Sequence, residues 1–153
     1  MPSSQGIDPA VLVALLLAAN IGVVTAVFLA MARLTGWKRL AAAYPARPPA
    51  QDARTGLGSA FFYTMGNYNG CVRWHADDEY LHLALIRPFQ WLGHPPMSVP
   101  WAAIEVDLTQ SRDGYQQVYI DGIPVRLPFK AVEAELELRR AMSREEDPEP
   151  TPA

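Results

Sequence analysis

From residue 9 to residue 32 the chain runs through twenty-four positions without a charge, and only Asn20 and Thr25 among them carry strongly polar side chains. An unbroken apolar stretch of that length predicts a helix with no solvated face. At about 1.5 Å per residue it reaches roughly 36 Å, enough to cross a hydrocarbon core of about 30 Å with some tilt. A core helix of a soluble protein is the first alternative, but it would show a charged stripe at helical spacing. A cleaved leader is the second, and Ala30-Met31-Ala32 has the small-x-small form of a cleavage site. Residues 1–8 hold no basic side chain, and the apolar run exceeds the 7–15 residues or so of a leader core, so the flanks oppose it.

The pattern changes after the span. Leu34, Trp37, Leu40 and Ala41 recur at helical spacing until Tyr44-Pro45, where the residue before proline is forced out of the α region. This neck places Trp37 at headgroup level with Lys38 and Arg39 just beyond, the chemistry of an interfacial anchor. Residues 45–58 have no apolar period, carry Pro48-Pro49 and two glycines, and predict a linker with a domain boundary near Leu57.

From Phe61 the period becomes two. Asn69-Gly70 is a strong hairpin signal, and a two-residue turn there sets Tyr68 opposite Cys71, Asn67 opposite Val72 and Met65 opposite Trp74. One face then collects Phe61, Tyr63, Met65, Val72 and Trp74. A four-residue connection at residues 76–79 pairs His75 with Tyr80 and keeps Leu81, Leu83 and Leu85 on that face, a mutual agreement that a one-residue slip would destroy. Ile104, Val106 and Leu108 alternate with polar residues in a further strand, followed by a turn at residues 111–114. Asp121-Gly122 predicts a second tight hairpin that joins Ile120 to Ile123 and Val118 to Val125, with Leu127 continuing the face and Pro124 at a non-hydrogen-bonded position. Residues 129–142 return to helical composition. Ala131, Ala134, Leu138, Ala141 and Met142 share one side, and Glu135 and Arg139 form an i,i+4 pair. The remaining acidic, proline-rich residues 143–153 lack an apolar anchor and read as a disordered tail.

Charge orients this layout. Residues 1–57 carry five basic and two acidic side chains, and residues 58–153 carry eight and fourteen, so a segment of +3 precedes one of −6. The first eight residues have no lysine or arginine, whereas Arg33, Lys38, Arg39, Arg47 and Arg54 follow the span. The positive-inside rule therefore predicts an extracytoplasmic N-terminus and a cytoplasmic C-terminal domain in a single-pass inner-membrane protein. An acidic domain lacks the basic stripe of a nucleic-acid footprint, and no nucleic-acid partner is expected. Cys71 is the sole cysteine, which excludes an intrachain disulfide and an all-cysteine metal site.

Six or seven short strands and a closing helix follow the order of elements in a pleckstrin-homology-like barrel. Trp74-His75 through Leu85, then His94-Pro95-Pro96-Met97-Ser98-Val99-Pro100-Trp101-Ala102-Ala103-Ile104, resemble the core of bacterial PH-like and GRAM-like domains. The preceding neck, Gly36-Trp37 to Tyr44-Pro45, is similar to that of small bacterial single-span membrane proteins of unknown role. The resemblance implies an α+β fold in which an N-terminal transmembrane helix precedes a small PH-like β-barrel or sandwich of six or seven antiparallel strands with a C-terminal helix. It transfers no functional residue set, and residues 67–71 carry none of the basic side chains used for phosphoinositides by lipid-binding members.

Candidate chemistry is sparse. His75, His82 and Cys71 fall on the solvent-side face of the expected register, but His82 lies opposite Arg73, and an arginine there would repel a cation. Exposed strand positions are the simpler reading, and neither a metal nor a cofactor is expected. His94 is expected to hydrogen-bond within its loop. Asp77-Asp78-Glu79 could ligate a cation but suits a solvated turn, and no nucleophile, phosphate-loop or helical metalloprotease motif occurs, so no catalytic residues are assigned. In residues 88–97, Phe89, Trp91 and Leu92 could dip into the bilayer, serve as a hot spot for a partner or plug the barrel mouth. Ala14, Ala18, Gly22 and Ala26 form a small-residue stripe on which another helix could pack, although alanine is also simply frequent here.

The expected organisation is an N-terminus at 1–8, a transmembrane helix at 9–35, a neck and linker at 36–57, the PH-like domain at 58–142 and a tail at 143–153. The expected role is non-catalytic: a membrane-anchored binding or scaffold module, an accessory subunit contacting a membrane-protein partner or self-associating through its span. The candidate contacts are Phe89, Trp91, Leu92, Trp37 and the stripe. Peripheral recognition of lipid by the tethered domain is the alternative, and a small metal-dependent enzyme is the third class.

Overall fold

The computed structural model describes residues 8–62 and 66–146. Asp8 caps the first helix, α1 (Pro9–Leu34), by accepting a hydrogen bond from the Ala10 amide at 2.9 Å, and Pro9 occupies a first-turn position where its missing N–H costs nothing. α1 is 26 residues long, and no residue of its most apolar stretch is buried within the protein. It is long and apolar enough to span a membrane.

The helix does not run on through the neck. Gly36 takes a left-handed conformation (φ 80°), which glycine reaches without a Cβ penalty, and the chain restarts as α2 (Trp37–Ala43). This break corrects the expected position of Trp37. Instead of lying at headgroup level, its indole is fully buried in the domain core.

Seven strands follow: β1 (Arg54–Phe62), β2 (Gly66–Ala76), β3 (Tyr80–Leu85), β4 (Met97–Pro100), β5 (Ile104–Arg112), β6 (Tyr115–Ile120) and β7 (Ile123–Pro128). They form one antiparallel sheet in the order β4-β3-β2-β1-β7-β6-β5, curled into a nearly closed barrel. The final helix, α3 (Phe129–Glu146), packs on it, which gives the expected α+β layout. The expected tail from residue 143 begins inside α3, and residues 147–153 lie outside the described residues.

Asn69-Gly70 is a bulge within β2 rather than a hairpin turn. β1 starts at Arg54, ahead of the expected boundary, and pairs antiparallel along β2 from Ala76 back to Gly66, with Phe62 opposite Gly66. Between Gly58↔Val72 and Ala60↔Tyr68 the register moves by two residues, Gly70 takes φ 62°, and its amide donates to Ser59 Oγ at 2.8 Å. An even shift leaves alternation intact, so Tyr68, Val72, Trp74 and Ala76 all stay inward with Ala60 and Phe62. Phe61, expected inward, is half-buried and stacks edge-on against Tyr115. Tyr63 and Met65 lie outside the described residues.

β2 and β3 pair two residues from the expected register, an even shift that preserves the leucine face. His75 now stands opposite His82, and Arg73 opposite Ala84. Asp121-Gly122 forms the expected hairpin, with both residues at positive φ and with Ile120↔Ile123 and Val118↔Val125 paired. Asp113-Gly114 repeats the same turn chemistry.

α3 buries Ala131, Val132 and Leu136 and leaves Leu138 and Met142 exposed. The expected face is therefore corrected, apart from Ala131. Leu136 sits two positions from Ala134 and Leu138, about 200° around the helix, and the barrel took the side on which Val132 and Leu136 each stabilise by roughly 1.5–3 kcal/mol.

The segment after α2 is not a free linker. It lies along the outer edge of β4: Pro45 bridges Met97, the Ser98 amide donates to the Tyr44 carbonyl at 3.2 Å, and the Arg47 amide donates to Ser98 Oγ at 2.7 Å. An exposed sheet edge is thereby covered by the neck itself.

Candidate functional site

Two clusters of buried polar groups stand at opposite ends of the barrel. β2 begins at Gly66, directly against Thr35 at the foot of α1, and ends at Ala76 on the far rim. Ten steps at about 3.3 Å separate these ends by roughly 30 Å.

At the foot of α1, Thr35 is the helix C-cap, and its Oγ1 lies 2.8 Å from the Met31 carbonyl and 3.0 Å from Tyr68 Oη. Tyr68 Oη is 2.8 Å from His94 Nε2, and His94 Nδ1 is 3.2 Å from the Leu92 carbonyl. A carbonyl can only accept, so in the neutral ring Nδ1–H donates to Leu92, and Nε2 accepts from the Tyr68 hydroxyl. Burial holds His94 below its ordinary range, partly offset by the Leu92 carbonyl, and burial pushes the Tyr68 phenol up. Trp37 closes the cluster. Its Nε1–H donates to the Pro95 carbonyl at 2.9 Å, and its ring centroid lies 5.0 Å from Phe62 and 5.3 Å from Tyr68. On the other side, Phe28 stacks on Phe89 at 4.7 Å and meets His94 edge-on at 5.9 Å.

The far rim holds a cleft of about 940 Å³ between the neck, the β2–β3 turn, Trp101 and α3. Asp77 organises it. Its Oδ1 accepts the Glu79 and Tyr80 amides at 3.1 and 2.8 Å, and its Oδ2 accepts the Ala50 amide at 3.1 Å and His82 Nε2–H at 2.9 Å. Burial alone would raise this carboxyl, but the four donors outweigh it and hold the group at about 2. His82 Nδ1 stands 2.8 Å from Ser98 Oγ.

Ser98, His82 and Asp77 thus have the connectivity of a hydrolase triad, yet their setting is that of a clip. Ser98 is 3% exposed and already receives the Arg47 amide, so no carbonyl substrate can reach its Oγ. What the three side chains do is fasten residues 44–50 to β3 and β4. Trp101 seals the base by donating to the Asp77 carbonyl at 2.7 Å, while Arg139 donates to the Trp101 carbonyl at 2.9 Å and pairs with Glu135 at 2.7 Å.

The remaining expected residues divide clearly. His82 is 6% exposed, which corrects its expected solvent-facing position. Asp77 is half-buried in its own turn, with its side chain 10% exposed, whereas Asp78 and Glu79 are solvated. Among the described residues no group of three His, Cys, Asp or Glu side chains is placed to hold a metal ion. Burial raises the Cys71 thiol, which disfavours the reactive thiolate. His94 makes the expected loop contact. Phe89 is half-buried against Phe28, Leu92 is half-buried, and Trp91 is 77% exposed. Ala14, Ala18, Gly22 and Ala26 all lie on exposed helix, and a Cβ built on Gly22 meets nothing within 4 Å.

Thr35, Tyr68, Ser98 and Trp101 carry no local sequence signal. Most of their side-chain bonds above reach partners 16 to 51 positions away, and only folding brings them together. Comparison with family models, curated proteins and solved structures gives no significant match, so the functional reading rests on geometry.

Proposed function

We propose that this chain is a membrane-anchored, non-catalytic assembly module: a cytoplasmic, PH-like barrel held on one span and acting as an accessory subunit for a membrane-protein partner. The observation that carries the reading is the rigid joint. Thr35, Tyr68, His94 and Trp37 bind the end of α1 into the barrel core, and the Ser98 clip fastens the neck. Groups that resemble catalytic machinery are consumed in that joint and clip. A rigid joint fixes the height and rotation of a domain over the bilayer, which suits a subunit that must meet another protein in register.

The free surface of α1 is where this reading places the partner helix. Ala14, Ala18, Gly22 and Ala26 permit close backbone approach, and all four are exposed among the described residues. Tagged full-length protein extracted in mild detergent should co-purify with a membrane protein at fixed stoichiometry. Replacing the four small residues by leucine should abolish that association while the protein still resists carbonate extraction. A wild-type protein that emerges as a lone monomer refutes the assembly reading.

A further inference from the structure

The length of α1 and its docking on the barrel locate the bilayer surface. Twenty-six residues extend roughly 39 Å, about 9 Å more than a hydrocarbon core needs. The domain grips the helix over a matching distance. Phe28 stacks on Phe89, and Gly93 lies so close that a Cβ there would come within 2.9 Å of Leu29 and 3.6 Å of Ala32. The ring contacts with the domain begin at Phe28, and the nineteen residues before it, Pro9 to Val27, of which only Thr25 is partly covered, measure roughly 28 Å. Surplus length and docked length coincide, so the hydrocarbon boundary falls at Phe28.

Phe28 sets the depth of everything beside it. The 3₁₀ turn Phe89–Leu92 is held in place by the Phe89 and Trp91 amides donating to the Ile86 and Pro88 carbonyls, both at 3.0 Å, and by Gln90 donating to the Leu85 carbonyl at 2.6 Å. This rigid turn presents Trp91 with 77% of its surface uncovered, although Trp37, Trp74 and Trp101 are all buried. Arg33 lies five residues beyond Phe28, about 7.5 Å farther along the axis, at the depth expected for phosphate groups.

We infer that the turn Phe89–Leu92 is a second membrane anchor: Trp91 enters the boundary between headgroups and acyl chains beside Phe28, and the barrel sits on the bilayer in one orientation. An indole, with its apolar body and its single N–H, suits that boundary. The inference rests on α1 being a span and adds the contact that fixes the domain against the lipid.

The test uses full-length protein in phosphatidylcholine vesicles, with bromine on the acyl chains near the carboxyl end or at mid-chain. Trp91 emission is taken as wild type minus Trp91→Phe, and the other three indoles, being buried, cancel. It should be blue-shifted, quenched most by the shallow bromolipid and spared by aqueous iodide. A Leu17→Trp, Trp91→Phe variant reports the span separately and should be quenched most by mid-chain bromine. Iodide quenching of Trp91 without bromolipid quenching, while the indole introduced at position 17 remains lipid-quenched, overturns the second anchor and leaves the span intact. If the position-17 indole also escapes bromolipid, the span fails too.

Discussion

His94 and His82 are both buried, and each joins segments that the sequence keeps far apart. Their environments give stability a pH signature. Burial depresses His94, so the unfolded ring takes a proton first as pH falls below about 6.5, and stability declines until the folded ring also titrates. Thermal melting of the detergent-solubilised protein should therefore fall from pH 7 to pH 5, by at most about 1.4 kcal/mol per pH unit for one group. His94→Gln should flatten that slope. What persists belongs partly to His75, which burial and the neighbouring His82 and Arg73 also hold low. Asp77 acts in a lower window. Its carboxyl, held at about 2 against an ordinary 3.8, contributes stability that is complete above about pH 4 and lost as pH falls toward 2. An unchanged slope between pH 7 and 5 in His94→Gln would place the controlling group elsewhere.

At the scale of elements, the neck along β4 depends on few bonds. Ser98→Ala leaves the Arg47 amide and His82 Nδ1 without that partner, at a cost of about 1–3 kcal/mol for buried polar groups. Amide exchange at Arg47 should accelerate well before global unfolding, because residues 44–50 open as a unit once the clip is gone. Equal protection in wild type and variant would show that the Pro45 bridge and the Asp77 bond to the Ala50 amide suffice alone. α3 teaches a related lesson. Alanines on both sides give it two apolar stripes, and composition does not choose between them. Contact with the barrel selects Val132 and Leu136, leaving Leu138 on the rim of the far cleft.

For the whole molecule, the distribution of Arg33, Lys38 and Arg39 against an uncharged N-terminus makes orientation a direct prediction. A periplasm-active phosphatase fused after Ala153 should stay inactive, and the same enzyme fused ahead of Met1 behind an export signal should be active. The reverse pattern would place the barrel outside. The joint lies at the barrel end beside α1, and the far cleft opens at the opposite end.

The apolar run of α1, the alternation of the strands and the two-residue turn at Asp121-Gly122 are local consequences of side-chain chemistry, and the sequence by itself determined them. Along β2 and β3 the register was legible only modulo two, because an even shift keeps Val72, Trp74 and the leucines inward, whereas in β1 the inward face itself changed from Phe61 to Ala60 and Phe62. Tertiary structure decided the rest. Asn69-Gly70 became a bulge because β1 extends back to Arg54 and can pair along all of β2. Trp37 left the interface because Gly36 breaks the helix and turns the indole onto Phe62 and Tyr68. His82 went inside because Asp77 and Ser98 were waiting on either side of its ring. Each outcome turned on contacts distant in sequence, whose free energy no local pattern records.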